Sequence, residues 1–309
     1  MYLFFITYVM NIDELLSKLK DMDLSRYPYF EIKELIRQIG EIGFVVITYH
    51  PGKAVFRVRP GRGYMKRDSV SYCPQEHNTI CRRASTPNST MFYGTVVPDG
   101  ECMESARITG AAEACSLLRA GNESIGHQQI TYSRWVVSND INLVAIVSSK
   151  DFVTKNTLFQ DLNSAYENYL NNFPDKKDRL NKISNFFAQE FSRENTGPDY
   201  NYLISAIFTE IVVEQGYDGV VYPSVQTSGL ALNVAIKPTT VDSSLRLEVV
   251  GECTLYKNKD KAFINSNTVC KEPDNGNDFV YRPSSVNEKL EVCLERVGVT
   301  SLNDLPEYT

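Results

Sequence analysis

The chain carries no surplus of positive charge. Lysine and arginine total 32 against 38 acidic residues, and the net charge of −6 gives no general attraction to nucleic acid or to anionic membranes. Long apolar runs are missing too. The opening MYLFFITYVM is too short to span a bilayer and lacks both a basic leader region and a small-residue cleavage site. It is expected as a buried first strand or an N-terminal anchor. The seven cysteines are odd in number, scattered and unpatterned, which suits a reducing cytoplasm. The sequons at Asn88 and Asn122 then carry no meaning. Histidine is limited to three residues, and no repeat, coiled coil or low-complexity tract is present.

What remains is ordinary globular composition, 42% hydrophobic and 23% charged, in 309 residues that can bury a substantial core. Residues 1–43 read as an N-terminal helical module. Leu15, Leu16 and Leu19 mark one helix, and Ile32, Leu35, Ile36 and Ile39 mark a second after Pro28. This module is expected to pack on the main domain or to offer a partner surface. Residues 44–256 form the main α+β domain, and 257–309 a C-terminal extension with a short helix over 285–297. Strands are predicted at 44–49 and 54–59 as a hairpin around His50-Pro51-Gly52-Lys53, and at 132–137 and 143–148 as another around Asn139-Asp140. Residues 151–195 are polar and helical, with aromatic core anchors such as Phe159, Tyr166 and Phe187. A helix from Ile204 to Gly216 precedes a short strand at 220–222 and an apolar run at 230–236.

Several polar residues stand out against that frame. In VFRVRP, Arg57 and Arg59 fall on one strand face, which needs either water or an anion. The basic stretch 60–90 lacks periodicity, as functional loops do. Cys73, His77 and Cys81 have zinc-like spacing, but Pro74 and the want of a fourth ligand argue against a metal. GRG at 61–63 lacks the third glycine and strand–helix context of a dinucleotide fingerprint. ITGAAEA predicts a helix start capped by Thr109. There Glu113 is either a first-turn carboxylate or, with Ala111, Ala112 and Ala114 leaving little bulk, one that faces a cavity. Ser224, after the Tyr222-Pro223 strand end, is either a plain turn residue or a hydroxyl presented to a ligand.

In order along the chain, FRVRP at 56–60, RRAST and MFY within 82–93, ITGAAEA at 108–114 and DGVVYPSV at 218–225 resemble the RES domain family. The resemblance covers about residues 45 to 250. It implies an ADP-ribosyltransferase-like split β-sheet core with surrounding helices, in bacterial, toxin-like proteins that consume NAD. The implied reactions are phosphorolysis or glycohydrolysis at the nicotinamide–ribose bond. Alternatives are mono-ADP-ribosyl transfer to a protein, or an inactive NAD- or partner-binding module. Residue by residue, Arg57 is similar to the family arginine of the first strand, Arg83 (or Arg82) to a second arginine, Tyr93 to the aromatic-strand tyrosine, Glu113 to the helix glutamate and Ser224 to the serine. Glu101, Glu104 and Glu210 are rivals for the carboxylate, because the Tyr93–Glu113 connection is longer than usual in the family. The chemistry fits those types. An oxocarbenium-like sugar needs a carboxylate, a pyrophosphate needs arginine forks, nicotinamide needs an aromatic face, and a ribose or phosphate oxygen needs a hydroxyl. NAD is expected as substrate, with inorganic phosphate as one acceptor, a small neutralising antitoxin-like protein as partner, and no metal.

Overall fold

The computed structural model of the chain describes residues 11–96, 103–146, 157–194, 197–227, 231–274 and 276–308, with the backbone alone at 103–106. The opening ten residues, expected as strand or anchor, lie outside the described residues. Ten strands join in one sheet: β1 (Val45–Tyr49), β2 (Ala54–Pro60), β3 (Phe92–Val96), β4 (Ile125–Val137), β5 (Ile141–Ala145), β6 (Gly219–Pro223), β7 (Leu232–Ile236), β8 (Leu245–Asn258), β9 (Lys261–Lys271) and β10 (Arg282–Pro283). Their order is β1-β5-β6-β7-β3-β2-β4-β8-β9-β10. Among the described strands only β5 and β6 pair in parallel. With its helices this is an α+β fold.

Both predicted hairpins are wrong in their pairing, although their strands form. β1 pairs with β5, and β2 with β3 and β4. The turns at 50–53 and 138–140 hand the chain from one sector of the sheet to another. That has a geometric consequence. β1 and β2 are five positions apart in the sheet order. A flat sheet would separate them by about 24 Å at about 4.8 Å per strand. The link from Tyr49 to Ala54 spans at most about 18 Å at about 3.5 Å per residue. The sheet therefore curls over, bringing its two halves towards each other.

The halves meet at a short seam. β2 and β3 pair only at Val55↔Val96 and Phe56↔Thr95, and then diverge. Gly94 stands just past that pairing, where a Cβ would lie 2.6 Å from Val55 Cγ1 and 3.0 Å from the Phe56 carbonyl oxygen. Only glycine lets the strands come this close before they part.

Side chains alternate between the faces as strand geometry requires. Leu143, Val221, Val234 and Trp135 enter a core capped by helices α4 (Thr157–Asn171) and the start of α5 (Pro174–Ser192), with Phe159, Tyr166 and Leu180 buried there. Val144, Val220, Tyr222 and Ala235 face a second core. Into it pack α1 (Ile12–Lys20), α2 (Tyr29–Ile39), the later part of α5 and α6 (Leu203–Glu214). The N-terminal helices thus pack on the main body: Leu15, Leu19, Ile32, Ile36 and Ile39 share one cluster with Phe187, Phe191 and Phe208.

Helix α3 (Met103–Ala114) begins well before the expected cap at Thr109. Glu113 is therefore in its last turn, and the helix-dipole explanation for it fails, because that end of a helix favours cations. At Gly110 a Cβ would meet Val58 Cγ2 at 2.7 Å, so its absence lets α3 lie close on β2. The helix at Pro238–Ser244 (α7) precedes β8, and α8 (Leu290–Val297) packs Cys293, Leu294 and Val297 against Tyr256. β9, within the C-terminal extension for which a short helix was expected and no strand, completes a long hairpin with β8.

Candidate functional site

Where β2 and β3 part, a cavity of about 960 Å³ opens beneath α3, at the upper end of the range for small-molecule and cofactor sites. Its wall takes Arg57 and Arg59 from β2, Arg82, Arg83 and Ser85 from the loop before β3, Tyr93 and Thr95 from β3, Glu113 from α3, Arg119 from the short helix after it, and Tyr222 and Asn233 from β6 and β7. Arg57, Arg83, Tyr93 and Glu113, four of the five residues carried over from the resemblance, line one cleft.

Arg57 fills the seam. Its Nη1 donates to the Tyr93 carbonyl oxygen at 2.7 Å, a group that the diverging strands leave unpaired, and its guanidinium lies 5.3 Å from the Phe92 ring centre. Its Nε is buried and has no hydrogen-bond partner. Burial, with Arg59 and Arg82 nearby, pulls its pKa down to about 10. It remains charged at neutral pH, so the cavity holds a cation that makes no ion pair among the described residues.

The other arginines share this character. Arg59 donates to the Ser69 carbonyl, Arg83 to those of Phe191 and Arg193, and Arg119 to that of Glu113. Among the described residues none of the five cavity arginines makes an ion pair. Five guanidinium groups face two carboxylates, Glu113 and Glu194, in a chain of net negative charge. Arg83 and Arg82 differ in freedom. Arg83 is tied to the end of α5 and lies 5.0 Å from the Tyr202 ring centre, whereas Arg82 is exposed at the cavity mouth. Arg82 is thus the one able to reach a ligand without breaking an existing bond.

Glu113 is the best-supported group in the cavity. Its Oε1 accepts the Ser224 hydroxyl at 2.6 Å and the Asn233 Nδ2 at 2.8 Å. Two donors on one oxygen fix the carboxylate plane and leave Oε2 without a protein partner among the described residues. Ser224 is fully buried, donates to Glu113 and accepts the Thr227 amide at 3.2 Å, so in this structure its hydroxyl is engaged by the carboxylate. Asn233 is a site residue that no motif in the sequence marks. Its signal was a lone polar residue inside the apolar strand LALNVAI, paired in register with Tyr222.

Tyr93 presents its ring to the cavity, while its hydroxyl accepts the Ala84 amide at 3.1 Å and meets Ser85 Oγ at 2.8 Å. Burial raises the phenol pKa above its ordinary value, so it stays neutral. Of the rival carboxylates, Glu210 lies away from the cavity, bonded to Tyr29, Lys33 and Thr86. Glu101 and the side chain of Glu104 lie outside the described residues. Cys73 is on the cavity wall, His77 is exposed and Cys81 is buried with its amide on Asp199. Among the described residues no cluster of metal-ligating side chains forms, and no helix is long and apolar enough to cross a membrane.

A scan against protein-family models and a search of curated proteins each gave no match for this chain.

Proposed function

We propose that this chain is a NAD-consuming enzyme with an ADP-ribosyltransferase-like fold of the RES type, cleaving the nicotinamide–ribose bond within the cavity beneath α3. The observation that carries this reading is one carboxylate, oriented by two donors, set among five arginines that make no ion pair among the described residues. Such a set fits a ligand with several negative charges and a centre that turns positive during reaction.

On this reading Arg57 and Arg82 hold the pyrophosphate, with Arg59, Arg83 and Arg119 supplying further positive field. Tyr93 offers its ring to nicotinamide. The free Oε2 of Glu113 faces the ribose and stabilises the developing positive charge at C1′. The C1′–N bond breaks with its electron pair leaving on neutral nicotinamide, and the acceptor forms the new bond to C1′. Water as acceptor yields ADP-ribose and a proton; inorganic phosphate yields ADP-ribose 1″-phosphate. Neither a metal nor a strong acid is demanded, because the leaving group is already cationic. A toxin-like enzyme of this kind calls for a small neutralising protein that covers Arg57 and Glu113.

Purified protein incubated with NAD, with and without phosphate, is expected to release nicotinamide together with ADP-ribose or its phosphorylated form. Label transferred to lysate proteins without a free ADP-ribosyl product would replace cleavage by protein ADP-ribosylation. No nicotinamide release under any of these conditions would overturn the proposal.

A further inference from the structure

Two carboxylates outside the cavity join the same pair of elements. Asp199, just before α6, accepts the Tyr27 hydroxyl on Oδ1 at 2.5 Å and the Cys81 amide on Oδ2 at 2.9 Å. Glu210, inside α6, accepts the Tyr29 hydroxyl at 2.5 Å and Lys33 Nζ at 3.2 Å on Oε2, while its Oε1 takes the Thr86 hydroxyl. Each acid therefore bridges the N-terminal helical pair to the loop that carries Arg82 and Arg83.

That loop has two sides. Cys81 and Thr86, at 2% and 0% exposure, meet the carboxylates, whereas Arg82, Arg83 and Ser85 line the cavity. On the cavity side the Tyr93 hydroxyl grips Ala84 and Ser85. Turn bridges at Arg82↔Ser85 and Thr86↔Ser89 are the only strand-like pairing in its described residues. A segment with so little regular structure loses much chain entropy when it is ordered. If the order is built in beforehand, a ligand does not have to supply it.

We infer that the N-terminal helical pair is a clamp on the arginine loop. Through Asp199 and Glu210, the Tyr27 and Tyr29 hydroxyls hold residues 78–86 in the shape that presents Arg82 and Arg83. Tyr27 and Tyr29 are then positioning residues for anion binding, with no contact to the ligand. The ligand's identity rests on the function proposed above; the clamp itself does not.

The test uses the full chain with Tyr27→Phe and Tyr29→Phe together, which removes two hydroxyls and almost no apolar area. Amide hydrogen exchange is expected to quicken about fivefold to tenfold over 78–90, the worth of one or two hydrogen bonds, with β3 and β7 unchanged. Kd for ADP-ribose should weaken by a similar factor, while kcat for nicotinamide release stays within about twofold. Thr86→Val, which cuts the Glu210 link to the loop and also removes the acceptor of the Asn88 amide within it, should likewise quicken exchange over 78–90. Unchanged exchange over 78–90, or faster exchange spread evenly over the chain, overturns the clamp. If the unaltered protein binds no ADP-ribose, the exchange result still decides the clamp, and the failure belongs to the functional proposal.

Discussion

Replacing Asn233 with aspartate keeps the shape of the side chain and turns a donor into an acceptor. Asn233 Nδ2 lies 2.8 Å from Glu113 Oε1. With both groups ionised at that distance, repulsion is about 6 kcal/mol at an effective dielectric constant near 20. Placing a proton on one ordinary carboxyl at pH 7.5 costs about 5 kcal/mol, from about 1.4 kcal/mol per pH unit. The two routes are similar in cost, and a third is rotation of Glu113 away from Ser224. All three remove the charged, oriented carboxylate. The expected outcome for Asn233→Asp is a loss in kcat of at least about 100-fold, equivalent to about 2.7 kcal/mol of barrier. Asn233→Ala, which deletes one charge-assisted hydrogen bond of about 1.5–3 kcal/mol, should lose about 10- to 100-fold. The assay is nicotinamide release from NAD, with thermal unfolding to confirm that the fold is kept. Retention of activity within about threefold by Asn233→Asp would refute the role given to this pair.

Three further expectations follow from other contacts. Ser224→Ala should lower kcat about tenfold and leave KM for NAD nearly unchanged, since its hydroxyl bonds Glu113 at 2.6 Å; a rise in KM alone would instead make Ser224 a ligand contact. Gly94→Ala should destabilise the fold by about 1–3 kcal/mol through the clash with Val55 and Phe56, read as a lower denaturation midpoint. Asp199 is held below the usual carboxylate range mainly by the Tyr27 hydroxyl. Its folded value is below its unfolded one, so its contribution is present above about pH 4 and lost as pH falls through the folded value. Tyr27→Phe should therefore flatten the acid limb of a stability–pH profile, and an unaltered limb would contradict this.

The elements were largely legible in the sequence, and their partners were not. Apolar spacing located α1, α2, α6, β6 and β7, because each buries a periodic face or run. Strand pairing failed at His50-Pro51-Gly52-Lys53, where a turn signal fixes the bend of the chain but not which strand lies alongside afterwards. β9 was missed because KAFINSNTVCK is polar on both faces and buries only Asn265 and Cys270 fully. In the site, Arg57, Tyr93 and Glu113 were found through an ordered resemblance, whereas Asn233 gave one weak local signal. Ser224 was marked as a hydroxyl, but its bond to Glu113 was not foreseen. A sequence marks a hydroxyl after a strand end, but only the curled sheet shows that α3 places Glu113 in front of it.

Turnover by Glu113→Gln bears most directly on the central claim. Gln keeps the size of the side chain and removes its charge. The account predicts nicotinamide release by the unaltered protein, a loss of more than about 100-fold in Glu113→Gln, and ADP-ribose affinity within a few-fold of the original, since the arginines are untouched. Equal turnover by the two proteins, or none by either, would contradict it.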